Sequence, residues 1–323
     1  MGLRDSSFYH SIRIPIRTAL AWSLPGPMNP KRRIAVSGTP RSGTSWLAKC
    51  ISLADGVSFY YEPDEPFTRE CRYVYVPPDT ENDRLERDIR RMWAGRVIGN
   101  YHITEKGFKE LVETPFAPTI LLKWVWLNFS LDWIAQRFPG IVVVQTVRHP
   151  IPQFLSWRGR KWPPEEALDW LLKQPILMEG PLAKHADVMR RADGFWEKAT
   201  AFWGATAAMQ LATNRDGWIL REHEWYCLAP EERIGWLVRE LGLAWNDRIA
   251  EFLSPRREQN RGPGYGEARD PRTEVNKWRG KVKPEEVRDV EGIMKEFGLP
   301  FYPNLDPEVS WLDGASNPEP TRT

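Results

Sequence analysis

Short apolar runs alternate with stretches of helical periodicity along most of the chain. The apolar runs predict five strands, at 34–36, 57–61, 119–124, 141–147 and 218–221. Helical patterns lie between and after them, at 44–51, 80–97, 127–138, from 150 onward, 163–211, 230–243 and 284–297. Strands that alternate with helices predict a parallel sheet flanked by helices on both faces, so the fold class is α/β with a largely helical C-terminal half.

The pattern divides the 323 residues into three segments: an N-terminal arm at 1–31, a single domain at 32–303 and a flexible tail at 304–323. The apolar stretch of the arm is interrupted by Pro15 and lacks a small-residue cleavage site, so it does not resemble a signal peptide. It packs across the domain or makes a peripheral membrane contact. No apolar run approaches the ~20 residues that span a bilayer. The Gly-, Pro- and Arg-rich stretch 254–276 predicts a lid or a disordered loop.

Composition narrows the classes of function. The chain has 45 basic and 43 acidic residues, so no global charge marks a nucleic-acid-binding protein, and any basic site must be local. The three cysteines, Cys50, Cys71 and Cys227, are scattered without metal-ligand spacing, which favours free thiols in a reducing, cytoplasmic compartment and no metal. Most of the 17 tryptophans are expected in the core, although some would suit ring stacking.

The stretch 34–47, I-A-V-S-G-T-P-R-S-G-T-S-W-L, has the pattern of a strand, a phosphate loop and a helix N-terminus. Glycines let the backbone curl around an anion, and the positive end of the helix dipole attracts it. The spacing matches the nucleotide P-loop G-x-x-x-x-G-K-[ST], except that Thr44 replaces the lysine and the loop offers Arg41 instead. The missing lysine argues against a nucleoside triphosphate.

A second pair of residues lies after the strongest strand. Arg148 ends the run 141–147, and Ser156 follows eight residues later on a helix that begins near Pro150. Both side chains can converge on one anion at the carboxyl edge of the sheet. An arginine at a strand end is, by itself, often only an ion-pair partner.

Together the two motifs, G-T-P-R-S-G-T-S-W-L and R-H-P-x5-S, resemble the cofactor-binding signatures of the sulfotransferases that use 3′-phosphoadenosine 5′-phosphosulfate (PAPS). The form R-S-G-T-S looks more like the bacterial, carbohydrate and tyrosylprotein branches than like the cytosolic small-molecule branch. The resemblance spans 34 to about 302 and implies a P-loop NTPase-like fold. It assigns the 5′-phosphosulfate to the loop residues Pro40, Arg41, Ser42, Gly43, Thr44, Ser45 and Trp46, and the 3′-phosphate to Arg148 and Ser156.

Two further stretches resemble the family, one of them with a departure. Residues 219–223 are similar to its strand before the C-terminal helices, and N-K-W-R at 276–279 to its K-W element, which implies that Lys277 and Trp278 lie near the cofactor. Asn276 stands where part of the family has a serine, which puts a hydroxyl contact in doubt. The family's glycine-rich clamp is not evident either, which leaves four arginines of the loop as candidates for closing over an anion: Arg256, Arg257, Arg261 and Arg272.

Sulfuryl transfer needs a base for the acceptor proton and cations on the leaving phosphate. Glu62, in an E-P element after the second strand, is the first choice for the base by resemblance, and Asp64, Glu65 and His149 compete with it. Lys123 ends the strand L-L-K-W, where some members carry a lysine that stabilises the bridging oxygen, and Arg41 adds a third catalytic candidate. The structural alternatives are an ion pair of Glu62 with a nearby arginine and a lysine that reaches solvent from the sheet edge.

The resemblance therefore implies a PAPS-dependent sulfotransferase, which is expected to need no metal. The acceptor is a hydroxyl on a glycan, a lipid or a small alcohol or phenol, and the product of the cofactor is adenosine 3′,5′-bisphosphate. The alternatives are a P-loop nucleotide kinase and a non-catalytic nucleotide-binding protein. Oligomeric state and the identity of the acceptor stay open.

Overall fold

The structure is a computed structural model that describes residues 30–64, 72–95, 116–254 and 270–312. The predicted N-terminal arm up to residue 29 lies outside the described residues. The same holds for 255–269 of the predicted loop 254–276 and for 313–323 of the predicted tail.

Five parallel strands form one sheet with the order β2-β3-β1-β4-β5. They are β1 (Arg32–Ser37), β2 (Val57–Tyr61), β3 (Thr119–Trp124), β4 (Ile141–Val147) and β5 (Ile219–Glu222). The bounds predicted for β2, β3 and β4 are confirmed, because each is a continuous apolar run between turn residues. Helices flank the sheet, so the predicted α/β fold class is confirmed.

Helices connect and follow the strands throughout the described residues. They are α1 (Thr44–Ser52), α2 (Asp83–Trp93), α3 (Leu131–Arg137), α4 (Pro150–Gly159), α5 (Pro164–Leu172), α6 (Pro175–Glu179), α7 (Ala186–Arg191), α8 (Gly194–Thr213), α9 (His223–Leu228), α10 (Pro230–Glu240), α11 (Asp247–Leu253), α12 (Pro271–Glu274) and α13 (Pro284–Phe297). Six of the helices, among them α4, α10 and α13, begin at a proline, whose missing N–H costs nothing in the first turn. Within the described residues no helix is both long and apolar enough to cross a membrane.

Several helix bounds differ from the prediction. The helix predicted at 127–138 begins only at Leu131, because Asn128 and Ser130 use their side chains on other backbone groups. The Asn128 amide donates to the Val125 carbonyl at 3.0 Å, and the Ser130 hydroxyl donates to the Val74 carbonyl at 2.7 Å. Such side-chain bonds compete with the helical turn.

The described residues in 30–38 and 44–144 form one compact unit, and those in 39–43 and 145–312 form a second. In the first unit β3 lies between β1 and β2, and every residue of β3 is buried. Helix α1 packs on β1, β2 and β3, and α2 packs on β3. The core of this unit is therefore built around the mostly apolar strand β3, in which Lys123 is also buried.

In the second unit the long helix α8 packs against α4, α5, α7 and α13. Gly204 allows α13 to approach closely, because a Cβ there would lie 2.6 Å from the ring of Phe297. His185 stacks on the same ring with a centroid separation of 4.4 Å. Residues 304–312 of the predicted tail are anchored here, since the Ser310 hydroxyl and the Trp311 N–H donate to the Glu222 carboxylate.

Candidate functional site

The segment 39–43 of the second unit has the backbone of an anion-binding loop. Arg41 has a φ of 70° and Gly43 a φ of 89°, both in the left-handed region, and the Ser42 N–H donates to the Thr39 carbonyl at 3.1 Å. In anion-binding nests right- and left-handed residues alternate, and the left-handed Arg41 and Gly43 on either side of Ser42 are compatible with such a concavity. Gly43 also has no room for a side chain, because a Cβ there would lie 2.2 Å from Nδ1 of His223.

Helix α4 holds this loop through two side chains. The Gln153 amide donates to the Thr39 hydroxyl at 2.7 Å and to the Pro40 carbonyl at 3.3 Å. The Trp157 indole N–H donates to the same carbonyl at 3.1 Å. Pro40 therefore contributes its backbone oxygen to loop anchoring, and Gln153 is a site residue that its position three residues before Ser156 could have indicated.

The structure brings Arg41, Arg148 and Ser156 together. Arg41 donates from Nε to the Ser156 hydroxyl at 2.8 Å, and Arg148 donates from Nη1 to the Arg41 carbonyl at 2.9 Å. The two predicted signatures therefore meet in the second unit, and the Arg41 side chain lies with the second of them. Two guanidinium groups that meet at one loop, one of them bonded to a hydroxyl, favour binding of a phosphate-type anion.

Two buried donors of this cluster have no hydrogen-bond acceptor among the described residues. They are the Ser42 hydroxyl and Nε of Arg148. Buried donors in proteins are nearly always paired, so unpaired donors need an explanation such as a ligand. An acceptor-rich anion would satisfy them.

A buried carboxylate lies against Arg148. Oε1 of Glu224, at the start of α9, is 3.8 Å from Arg148 Nε. Oε2 accepts from the Tyr302 hydroxyl at 2.6 Å and from the His149 N–H at 3.3 Å. Burial raises the pKa of Glu224, while Arg148 and the two hydrogen bonds lower it. No motif indicates this residue, because its partners come from distant parts of the chain.

His149 has a structural position. Its Nδ1 accepts from the Ile151 N–H at 3.2 Å, and its Nε2 lies 3.2 Å from the Leu305 carbonyl, so both ring nitrogens are engaged. Trp278 stacks on the ring with a centroid separation of 4.8 Å. Burial lowers the pKa of His149 to about 3, so the ring stays neutral near neutral pH. These contacts leave His149 without the geometry of a general base.

The K-W element divides between the surface and the core. Trp278 is buried against His149, the residue that follows Arg148 in the chain. Its indole N–H has no acceptor among the described residues. Lys277 is exposed and forms an ion pair with Glu274 at 2.7 Å. Trp278 therefore belongs to the buried cluster, whereas Lys277 reaches solvent.

In the first unit, Lys123 and Glu62 form an ion pair. The Lys123 side chain is 2% exposed and the Glu62 side chain 22% exposed. Nζ of Lys123 also lies 4.2 Å from the ring centroid of Tyr61, its partner across the β2 and β3 register, and the Tyr61 hydroxyl is 2.8 Å from Oγ of Ser45. A buried lysine held by a partly exposed carboxylate and an aromatic face is a cation whose counter-ion can reach solvent.

Asp64 anchors the chain after β2. Its Oδ2 accepts from the N–H groups of Val125 and Trp126 at 3.0 and 2.7 Å. Burial raises the pKa of Asp64 to about 7, against the effect of these hydrogen bonds. Asp64 differs from Glu62 in exposure, since Asp64 is fully buried and Glu62 is in part exposed.

The remaining predicted residues lie at α1, in α12 or outside the described part. Thr44 begins α1 and is buried, and Trp46 is half-buried in the same turn. Arg272 forms ion pairs with Glu231 and Asp270. The other candidate arginines of the loop, Arg256, Arg257 and Arg261, and the competing base Glu65 lie outside the described residues. Within the described residues no group of three His, Cys, Asp or Glu side chains could hold a metal ion.

No family model matches the chain, and no curated protein matches it. Solved structures do. The match to mouse sulfotransferase SULT7A1 complexed with PAP is 14% identical, covers 86% of this chain and 88% of that one, and has a TM-score of 0.46. The sulfotransferase domain from the Synechococcus PCC 7002 olefin synthase is 12% identical over 82% and 94%, with a TM-score of 0.42. Retinol dehydratase in a complex with retinol and PAP is 14% identical over 84% and 82%, with a TM-score of 0.41. Similarity at this level assigns no function to the chain.

Proposed function

We propose that this protein transfers the sulfuryl group of PAPS to an acceptor hydroxyl. The observation that carries the proposal is the cluster of Arg41, Arg148 and Ser156, which lies beside the loop 39–43 and its unpaired Ser42 hydroxyl. A P-loop that lacks its lysine and is accompanied by a second cationic pair fits a nucleotide with phosphate groups at two positions better than it fits a triphosphate.

The residues at these positions fit PAPS. The left-handed loop backbone, Ser42 and the start of α1 with Thr44 and Ser45 are suited to the 5′-phosphosulfate, since N–H groups and hydroxyls donate to its oxygens. Arg148 and Ser156 supply a cation and a hydroxyl for the 3′-phosphate. Bound PAPS would supply the electrophilic sulfur.

Glu62 is the proposed base for the acceptor hydroxyl. Its carboxylate is in part exposed, while Asp64 is fully buried on backbone N–H groups and His149 has both ring nitrogens engaged. Lys123, paired with Glu62, is the proposed cation for charge that develops on the leaving group. In-line transfer of this kind depends on positioning and electrostatics more than on covalent chemistry of the protein.

Binding of adenosine 3′,5′-bisphosphate, measured by calorimetry, is the first test. Arg148→Ala should weaken binding by about 2–3 kcal/mol, or about 30- to 150-fold, because a charge-assisted pair with phosphate is lost. The matched control is Arg158→Ala. Arg158 of α4 forms an ion pair with Glu286, so the variant that lacks it should bind the bisphosphate as the wild type does.

Transfer is tested with labelled PAPS and a panel of glycan, lipid and phenolic acceptors. Sulfation of one acceptor class supports the proposal. Tight binding of ATP without affinity for the bisphosphate would indicate a nucleotide kinase and overturn it. Bisphosphate binding with neither transfer nor PAPS hydrolysis would indicate a non-catalytic nucleotide-binding protein.

A further inference from the structure

The carboxylate of Glu224 faces the guanidinium of Arg148 without sharing a hydrogen bond with it. Arg148 follows β4 and Glu224 follows the neighbouring strand β5, which explains how the two side chains meet. Their closest charged atoms, Nε and Oε1, are 3.8 Å apart, beyond hydrogen-bond distance. Arg148 is thus attracted to Glu224 but not locked in a bidentate pair.

The other carboxylate oxygen is fixed in place. Oε2 of Glu224 accepts from the Tyr302 hydroxyl and from the His149 N–H. Glu224 is 2% exposed, so water screens its charge weakly. The carboxylate cannot turn away from Arg148 without breaking both hydrogen bonds.

Among the described residues, Arg148 is the cation that lowers the pKa of Glu224. His149 and His223 stay neutral near neutral pH, because burial lowers the pKa of each to about 3. The neutral or acidic groups around α9 are Tyr302, Glu222, Cys227, and Asp270 and Glu274 of the adjoining α12 segment. Three arginines also lie around α9, and each has a partner other than Glu224: Arg221 lies over the Trp225 ring, Arg233 donates to the Trp225 carbonyl, and Arg272 forms ion pairs with Glu231 and Asp270.

A phosphate that binds Arg148 therefore comes close to a fixed anion, because Oε1 of Glu224 lies 3.8 Å from Nε of the same guanidinium. We propose that Glu224 is a built-in counter-anion of the phosphate site, which disfavours dianions at Arg148 and couples phosphate binding to proton uptake. The inference rests on the proposed function in one respect, that Arg148 binds a phosphate. The proton goes either to Glu224 or to the phosphate, and both reduce the repulsion. Burial, which already raises the pKa of Glu224, favours the first.

The test compares Glu224→Gln with the wild type at two pH values. Glutamine retains an oxygen that can accept from Tyr302 and the His149 N–H, so the substitution removes mainly the charge. At about pH 8 the variant should bind adenosine 3′,5′-bisphosphate about tenfold more tightly, because the like charge is gone. At about pH 5.5 the difference should nearly vanish, because a phosphomonoester takes up its second proton near pH 6.

Proton uptake is measured directly by calorimetry in two buffers of different ionisation enthalpy. The wild type should take up more protons on binding the bisphosphate than Glu224→Gln does. Tyr302→Phe gives an intermediate case: it removes one hydrogen bond to the Glu224 carboxylate, and its affinity should rise at about pH 8 less than that of Glu224→Gln.

Glu222→Gln is the matched control, since Glu222 is equally buried but bonds to Ser310 and Trp311. It should leave the affinity at both pH values unchanged. Weaker binding by Glu224→Gln at both pH values would mean a merely structural role and would overturn the inference. The inference would also be overturned if the difference in affinity between Glu224→Gln and the wild type did not depend on pH, or if Glu222→Gln changed the affinity as much as Glu224→Gln does.

The two proposals fail differently. A wild-type protein that does not bind the bisphosphate refutes the proposed function. Binding that is lost in Arg148→Ala but unchanged in Glu224→Gln refutes only the role of Glu224.

Discussion

At Gly43, backbone conformation and packing both exclude a side chain. Its φ of 89° is one that L-residues rarely adopt, and the ring of His223 fills the space where a Cβ would lie. His223 is itself held by a contact of its Nε2 with the Cys227 sulfur at 3.4 Å. The candidate phosphate loop therefore packs at Gly43 against a buried, neutral imidazole.

Gly43→Ala should destabilise the protein and weaken bisphosphate binding. The positive φ alone costs ~1–2 kcal/mol, and the contact with His223 adds to it. Gly217→Ala is the control, because Gly217 has a φ of 80° but nothing within 4 Å of its Cβ position. Urea unfolding should show a larger loss in the free energy of unfolding for Gly43→Ala than for Gly217→Ala. In the His223→Ala background, Gly43→Ala should cost less than it does in the wild type. Equal losses for the two single variants would mean that the His223 contact carries no energy.

Local spacing predicted Gly43 and the pair of Arg148 and Ser156, because each motif depends on neighbours close in sequence. Glu224 could not be predicted in this way. Its hydrogen bond to the His149 N–H joins residues 75 positions apart, and the stretch that contains it has no motif for a buried carboxylate. The sequence therefore indicated which residues carry positive charge at the site, but not which anion balances them.

At the scale of the elements, apolar runs determined the strands, and side-chain competition by Asn128 and Ser130 determined the start of α3. The pairing of Tyr61 with Lys123 across β2 and β3 follows from the parallel register, which sequence alone does not supply. That register gives Lys123 its two partners, the Tyr61 ring and the Glu62 carboxylate just after β2. A lysine predicted at a strand end thus becomes a buried cation with a specific counter-ion.

Glu62→Gln should depress turnover with labelled PAPS and spare bisphosphate binding, because it removes the proposed base. It should also lower the free energy of unfolding by about 2 kcal/mol, since the buried Lys123 loses its counter-charge. Glu86→Gln, which breaks the exposed i,i+4 pair with Arg90, is the control and should cost at most about 0.5 kcal/mol.

The double variant Glu62→Gln with Lys123→Met should be more stable than the sum of the two single losses predicts, because it leaves no unpaired charge. Additive losses would show that the two side chains are not coupled. Full turnover in Glu62→Gln would move the base to another residue.

At the scale of the whole molecule, burial gives the two compact units buried groups with opposite responses to pH. In the first unit the pKa of Asp64 is raised to about 7, and in the second the pKa values of His149 and His223 are lowered to about 3. The stability that Asp64 contributes to the protein is lost as pH rises toward 7. The stability that the neutral histidines contribute is lost as pH falls below their ordinary pKa of 6.5. Composition predicts neither response, because both depend on which side chains the fold removes from water.

Asp64→Asn isolates the first of these responses. Below the ordinary carboxyl pKa of 3.8 the group is protonated both folded and unfolded, and as pH rises to about 7 the unfolded chain ionises while the folded chain keeps its proton. The free energy of unfolding of the wild type should therefore fall, relative to Asp64→Asn, by at most about 1.4 kcal/mol per pH unit across this window, and the difference should level off above it.

Asparagine retains an oxygen for the N–H groups of Val125 and Trp126, so the comparison reports charge more than lost hydrogen bonds. Urea unfolding across the window measures the difference, with the exposed carboxyl variant Asp79→Asn expected to follow the wild type. Parallel curves for the wild type and Asp64→Asn would contradict the raised pKa and with it the argument that favours Glu62 over Asp64 as the proposed base.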